Sequence, residues 1–288
     1  MYPEPFEFIG ITFIRSYGVT LAIAFLIGII WSRKRAVRAG INPDHVIDLS
    51  FVVLLASIIG SRFFYVIYHL EEFSDNILDI INPFHGDSVG ISGLSMMGGV
   101  VLSLISACIY VAFKKIKPWP LFDAMMPMFA LGIGIVRIGC FLNGCCYGLP
   151  AHDGFGVIFP NNSAAGYHFP DTPLIPTQLY SSIAGFGILI IVLSSEKFKR
   201  FDGHSFWMTT GLYSIWRFVI DFFRYYERSM TLSLAGYDFS RNQILLIILL
   251  VVSLAAYIIM YTKSVKKAGV DDKRTSAQVD ARSQKRLR

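Results

Sequence analysis

Apolar runs of about twenty residues recur along the chain, separated by short polar stretches. Their limits predict helices over 12–31, 47–69, 93–113, 121–142, 177–195, 205–226 and 242–262. A run of that length covers a ~30 Å hydrocarbon core at about 1.5 Å of rise per residue. The pattern therefore predicts an all-α, polytopic bundle of seven transmembrane spans. Little chain remains between the runs for an aqueous domain. Residues 1–265 are read as one intramembrane domain, and 266–288 as a basic, disordered cytoplasmic tail.

Composition agrees with this reading. Only 16% of the 288 residues are charged and 54% are hydrophobic, against roughly a quarter charged in soluble domains. The opening Met1-Tyr2-Pro3-Glu4-Pro5 lacks the basic stretch of a secretory signal, so the first run is read as a retained span. The net charge of +6 is not spread evenly. Arg33, Lys34, Arg35 and Arg38 follow the first run, Lys114, Lys115 and Lys117 the third, and Lys197, Lys199 and Arg200 the fifth. The tail is basic as well, whereas 70–92 and 143–176 hold no Lys or Arg. Basic loops stay on the cytoplasmic side, which predicts an outside N-terminus and an inside C-terminus. That distribution argues for membrane lipids as partners and against nucleic acid. The tail is either a solvated segment or one drawn to the anionic inner leaflet. The long outer segment 149–176 either covers a site or merely connects two spans.

Four arginines fall within the predicted spans or at their outer ends: Arg62, Arg137, Arg217 and Arg224. Three others, Arg15, Arg228 and Arg241, lie near the outer surface. A central arginine opposes insertion by about 2.5–3.5 kcal/mol, so such residues persist where they face a polar cavity with partners. Arg217, Asp221 and Arg224 are spaced i, i+4, i+7 and predict one helical face, with Asp221 orienting an arginine. Positive charge still exceeds negative, which points to an anionic ligand. The planar guanidinium fork suits phosphate. Glycines 132, 134, 139, 144 and 148 serve close helix packing, close approach of a substrate, or both. Tyr17, Asn143, Gln178 and Tyr180 are the polar residues beside these arginines, with Pro176 opening the fifth helix.

Several ordered motifs resemble the prolipoprotein diacylglyceryl transferase family over roughly residues 10–262. They are Tyr17-Gly18, Gly60-Ser61-Arg62 with Tyr65, Ser95-Met96-Met97-Gly98-Gly99, the block Arg137–Gly148, Pro176-Thr177-Gln178-Leu179-Tyr180, and the stretch from Arg217 to Arg224. The resemblance implies a bacterial inner-membrane enzyme, multi-pass, with its site toward the outer half of the bilayer. It would move diacylglyceryl from phosphatidylglycerol to the lipobox cysteine thiol of prolipoprotein precursors, releasing glycerol phosphate, without a cofactor or metal. Arg137 would then hold the lipid phosphate and Arg217 would act on the headgroup or leaving group. Tyr17, Asn143 and Gly148 match functional positions, as does Gln178, and Asp221 would orient Arg217 where the family usually has glutamate. Apart from the resemblance, Arg62 is expected on physical grounds as a supporting headgroup contact, and Gly139 and Arg224 complete the expected lipid contacts.

The motifs also depart from the family pattern. Met97 stands where histidine is usual, Cys140 where asparagine is frequent, Cys145 where glutamate is frequent, and Ile175 where a basic residue often precedes the proline. Two further readings therefore stand beside the transferase: a divergent member with a different acceptor, and a non-catalytic phospholipid-binding membrane protein. Cys140, Cys145 and Cys146 cluster near the outer face. They are read chiefly as small packing residues, with a disulfide as the next alternative. Zinc would require further ligands, for which the neighbouring segment offers His152 and His168. A covalent thiol intermediate is the remaining reading.

Overall fold

The structure, a computed structural model, describes residues 6–8, 11–14, 16–73, 84–85, 88–89, 95–151, 156–226, 231–234 and 237–286. Arg15, His152 and Arg228 lie outside the described residues. Every predicted apolar run is a helix: α1 (Ser16–Arg38), α2 (Asp44–Tyr68), α3 (Met96–Phe113), α4 (Pro118–Leu142), α6 (Thr177–Ser195), α7 (His204–Asp221) and α8 (Arg241–Arg286), with a short α5 (Ala164–His168) between α4 and α6. Antiparallel two-stranded ladders form at the same end of the bundle: Phe6–Phe8 with Ile11–Ile14, Phe84–His85 with Ser88–Val89, and Thr231–Leu234 with Tyr237–Ser240.

Five helical segments are long and apolar enough to cross a membrane: α1, α2, α4, α6 with its extension to Phe198, and residues 242–268 of α8. The apolar stretch of α3 is shorter. Helix α7 carries His204, Arg217 and Asp221 and falls outside the set. The architecture is multi-pass and helical, with five of the seven predicted segments meeting both requirements. Large side chains such as Leu26, Phe63, Leu104, Ile183 and Val251 stay exposed, as a lipid-covered surface requires.

Three predicted boundaries differ most from what is observed. The first run was expected to be helical over 12–31, yet Ile11–Ile14 is a strand and α1 continues to Arg38. The sixth run was expected to remain helical to residue 226, yet α7 ends at Asp221. Arg224 instead pairs with Gly148 in an antiparallel bridge, so it leaves the helical face it was expected to share with Arg217 and Asp221. At the C-terminus, the segment from Lys266 was expected to lack regular structure, but α8 continues as helical backbone to Arg286. That segment has no proline and is rich in Lys, Arg, Ala and Gln. It needs only to propagate a helix already nucleated by the apolar half of α8.

Helix α4 is central, packing against α1, α6 and α7, while α2 pairs with α3 and α7 with α8. The α2–α3 contact needs glycine: a Cβ added at Gly60 or Gly98 would overlap the other residue's carbonyl oxygen. A buried cluster of Ala36, Val46, Leu49, Tyr110, Val111, Leu121 and Ala124 ties the first four helices together.

The opposite end from the ladders is fixed by charge. Asp123, 4% exposed, accepts hydrogen bonds from the backbone N–H of Gly203 (2.8 Å) and Phe206 (2.9 Å) and pairs with Lys199 at 2.9 Å. It thereby supplies from α4 the acceptor that the first turn of α7 needs. Arg35 of α1 donates to the carbonyls of Asp123 (3.1 Å) and Ala124 (3.0 Å) and pairs with Glu196. Burial pulls the Lys199 ammonium down, but Asp123 and, less strongly, Asp202 together more than offset it, and the group titrates above the ordinary lysine value. The pair's stabilisation is therefore full below the lysine range and fades as pH rises through the folded-state value. Asp123→Ala is expected to destabilise the protein by on the order of 3 kcal/mol, because two N–H groups at the start of α7 lose their acceptor and Lys199 keeps only the more distant Asp202. Chemical denaturation in detergent, followed by tryptophan fluorescence, checks this.

Candidate active site

The site is built by the end of α4. The N–H of Gly144 bonds to the carbonyl of Phe141 (3.2 Å) and that of Cys145 to the carbonyl of Cys140 (3.1 Å). This is a Schellman ending, and its left-handed position is Gly144, at φ +66°. Asn143 is the last residue before the reversal. Cys146 is also left-handed, at φ +59°, a conformation uncommon outside glycine. The reversal folds Cys145 and Cys146 back over Cys140, and the three sulfurs lie within 4.8 Å of one another.

Side chains at the start of α6 hold this turn. Thr177 donates its hydroxyl to the carbonyl of Cys146 (2.9 Å), and Gln178 donates its amide to that of Cys145 (2.8 Å). Both are about 1% exposed. The segment after the turn packs over it around Phe159, Ala165 and Leu174. The N–H of Ala165 bonds to the carbonyl of Gly144 (3.0 Å). The described residues of 149–176 thus pack on the turn, and none of them lines the cavity described next.

A cavity of about 580 Å³ lies beside the turn, between α1 and α4. One end is polar, with Tyr17, Arg137, Asn143, Cys140, Cys145 and Cys146. The remainder is an apolar groove of Leu21, Phe25, Phe129, Ile133, Val136 and their neighbours. From Met128 to Cys140 it follows α4 for ~18 Å. The structure thus brings Tyr17, Arg137 and Asn143 together, as the sequence suggested.

Other predicted residues are placed elsewhere. Arg217 pairs with Asp221 and donates to the Tyr226 hydroxyl (2.9 Å), which donates to Asp221 in turn (2.7 Å). Ser240 donates to the other oxygen of Asp221 (3.0 Å). Asp221 does orient Arg217, but this buried cluster does not line the cavity. Tyr213 interacts electrostatically with both Arg137 and Arg217. Arg62 lies over the rings of Phe73 (5.1 Å) and Tyr65 (5.8 Å), away from the cavity wall. Gln178 is buried beneath the turn, positioning backbone. Gly139 lets α1 approach at Thr20, and Gly148 lies against the carbonyls of Ile175 and Phe223, so both are close-packing positions.

Arg224 has moved toward the turn. Its Nε is buried without a hydrogen-bond partner among the described residues. The Cys146 thiol is pushed down from its ordinary value by hydrogen bonds from the Cys140 and Cys145 thiols. Arg224 and Arg137 add to this against the opposing effect of burial. All four cysteines are free, so the disulfide reading is not realised here. His168 is exposed and is not part of the sulfur cluster.

Sequence reasoning missed Thr177, Tyr226, Ser240 and Gln243 as supporting residues. One signal was present: Ser240-Arg241-Asn242-Gln243 before an apolar run is a capping box. The structure forms it, with the Ser240 N–H bonded to Gln243 (2.8 Å) and the Gln243 N–H to Ser240 (3.2 Å).

Fold and site together define a multi-pass helical membrane protein with a cationic, thiol-rich head on an apolar groove. The model of the prolipoprotein diacylglyceryl transferase family matches residues 3–259. Proteins named phosphatidylglycerol–prolipoprotein diacylglyceryl transferase are similar to the chain. That of Clostridium tetani is 32% identical over 224 residues, covering 78% of this chain and 86% of its own. That of Fusobacterium nucleatum is 29% identical over 275 residues, covering 83% and 91%. One from Clostridium botulinum is 30% identical over 221 residues, covering 77% and 86%. The chain belongs to the prolipoprotein diacylglyceryl transferase family and is a transferase of lipoprotein biosynthesis.

Gln178→Leu removes the donor to the Cys145 carbonyl while roughly keeping volume. It is expected to destabilise the protein by about 1–3 kcal/mol and to loosen the turn. Faster maleimide labelling of Cys145 and Cys146 than in the wild type, quantified by mass spectrometry, is the readout.

Proposed function

We propose that the protein transfers diacylglyceryl from phosphatidylglycerol to the lipobox cysteine thiol of prolipoprotein precursors, releasing glycerol phosphate. The observation that carries this reading is Arg137 at the polar end of an apolar groove. A diacyl lipid has the matching division, with acyl chains suited to the groove and a phosphate suited to the guanidinium. In the reaction the acceptor sulfur bonds to the glycerol methylene carbon. The carbon–oxygen bond to phosphate breaks, and its electron pair stays on the phosphate. Negative charge grows there, so a guanidinium already in place favours the transition state over the ground state.

Tyr17 and Asn143 flank this position as hydrogen-bonding groups for the headgroup. Arg224, with an unused buried Nε, is a second contact for the departing phosphate. Arg217 acts through placement: bound to Asp221 and Tyr226, it fixes the end of α7 and hence the start of the segment that carries Arg224. In this reading all seven apolar helices cross the bacterial inner membrane. The N-terminus is outside, the basic C-terminus is cytoplasmic, and the site lies in the outer half.

The test is a transfer assay with labelled phosphatidylglycerol and a lipobox peptide. Arg137→Ala is expected to lower turnover by at least about 10²–10³-fold, and Arg137→Lys to recover only part of it because the fork geometry is lost. Both variants should insert and unfold like the wild type. Wild-type protein that binds the lipid yet forms no thioether would favour the non-catalytic reading. Unchanged turnover in Arg137→Ala would remove this residue from its role.

A further inference from the structure

A thiol attacks carbon well only as thiolate, and the described residues lining the cavity include no His, Asp, Glu or Lys. The ionisable groups there are Tyr17, Arg137 and three cysteines. Cys145 and Cys146 are incompletely buried and line the cavity. Cys146 is held in a left-handed conformation, and its sulfur lies with the other two inside 4.8 Å. Zinc–sulfur bonds of ~2.3 Å at tetrahedral angles require sulfurs ~3.8 Å apart.

We propose that Cys140, Cys145 and Cys146 form a zinc site whose open fourth position takes the acceptor thiol. The inference rests on the transferase reading above. Three protein ligands with one free position is the coordination of a catalytic zinc site, whereas a structural site is closed. Zn²⁺ with three thiolates carries one net negative charge, and Arg137, which lines the same cavity, compensates it. The acceptor R–SH occupies the fourth position and releases its proton to water, since a coordinating thiol is deprotonated outright. The bound sulfur then forms the carbon–sulfur bond as the carbon–oxygen bond breaks. The thioether, a poor ligand, departs, and the glycerol phosphate leaves with the electron pair from the broken bond. Zinc undergoes no redox change.

The test uses the full chain in detergent with phosphatidylglycerol. Elemental analysis should find a single zinc per chain, and Co²⁺ substitution should give sulfur-to-cobalt charge-transfer bands. Both signals should disappear in the Cys145→Ser/Cys146→Ser double variant and persist in Cys108→Ser, whose cysteine is exposed on α3. Stripping zinc from the wild type with a chelator should lower transfer on the order of 10²-fold, and adding zinc back should restore it. Stripping needs no substitution, so the test holds even if the double variant does not fold. Absence of bound zinc and of cobalt bands would overturn the site, and undiminished transfer by zinc-free wild type would overturn the thiol-activating role; either result leaves the transferase reading standing. Tight zinc and cobalt binding without any thioether product would overturn the thiol-activating role together with that reading.

Discussion

The carbonyls of Cys145 and Cys146 are released where α4 ends, and in a dry interior each needs a donor. Thr177 and Gln178, the first two residues of α6, supply those donors. This junction fixes where the chain reverses, and the reversal decides which side chains share a wall with Arg137. If the carbonyls were satisfied in another way, the thiols and Asn143 would have no reason to converge on one cavity. The placement of Pro176 just before these donors has the same logic, because the helix begins there without stranding an N–H.

The arginines divide into two kinds. Arg217 is balanced by Asp221 within a network that also holds Tyr226, Ser240 and, through the capping box, Gln243. A buried pair of this kind contributes little net stability but fixes geometry strongly, because losing one partner strands the other. Arg137 has no carboxylate among the described residues of its cavity. Its charge is therefore available for a ligand, and Arg224 adds a second guanidinium near the thiols. At the far end of the bundle, Asp123 and Glu196 consume Lys199 and Arg35 locally. Buried positive charge without a carboxylate partner is thus found at the thiol-rich end, whereas the remaining basic residues of the far-end loops, such as Lys34, Lys114 and Lys115, are exposed.

The helical segments were legible because hydrocarbon-length apolar runs leave few alternatives, and every predicted run is helical. The convergence of Tyr17, Arg137 and Asn143 was legible through motif order. Arg224 was not, because i, i+7 spacing presupposes a continuing helix. The Gly148 bridge that ends α7 involves a residue 76 positions earlier in the chain. Gly139 and Gly148 could not be assigned from sequence for a related reason: glycine reports close approach without naming the approaching partner. The clustering of Cys140, Cys145 and Cys146 was legible from their spacing, but their shared wall with Arg137 was not, because it depends on left-handed residues at 144 and 146 and only the first is glycine.

The groove along α1 and α4 has a kinetic consequence. A donor whose chains lie in such a groove is met within the bilayer plane, so the enzyme responds to the mole fraction of that lipid in its own membrane. Its bulk molarity does not matter. Diluting the preparation with buffer leaves the encounter rate unchanged, whereas adding inert lipid or detergent at constant volume lowers it. Saturation curves for such a protein belong on a surface-composition axis, and the headgroup balance of the host membrane becomes a control on the pace of lipoprotein maturation.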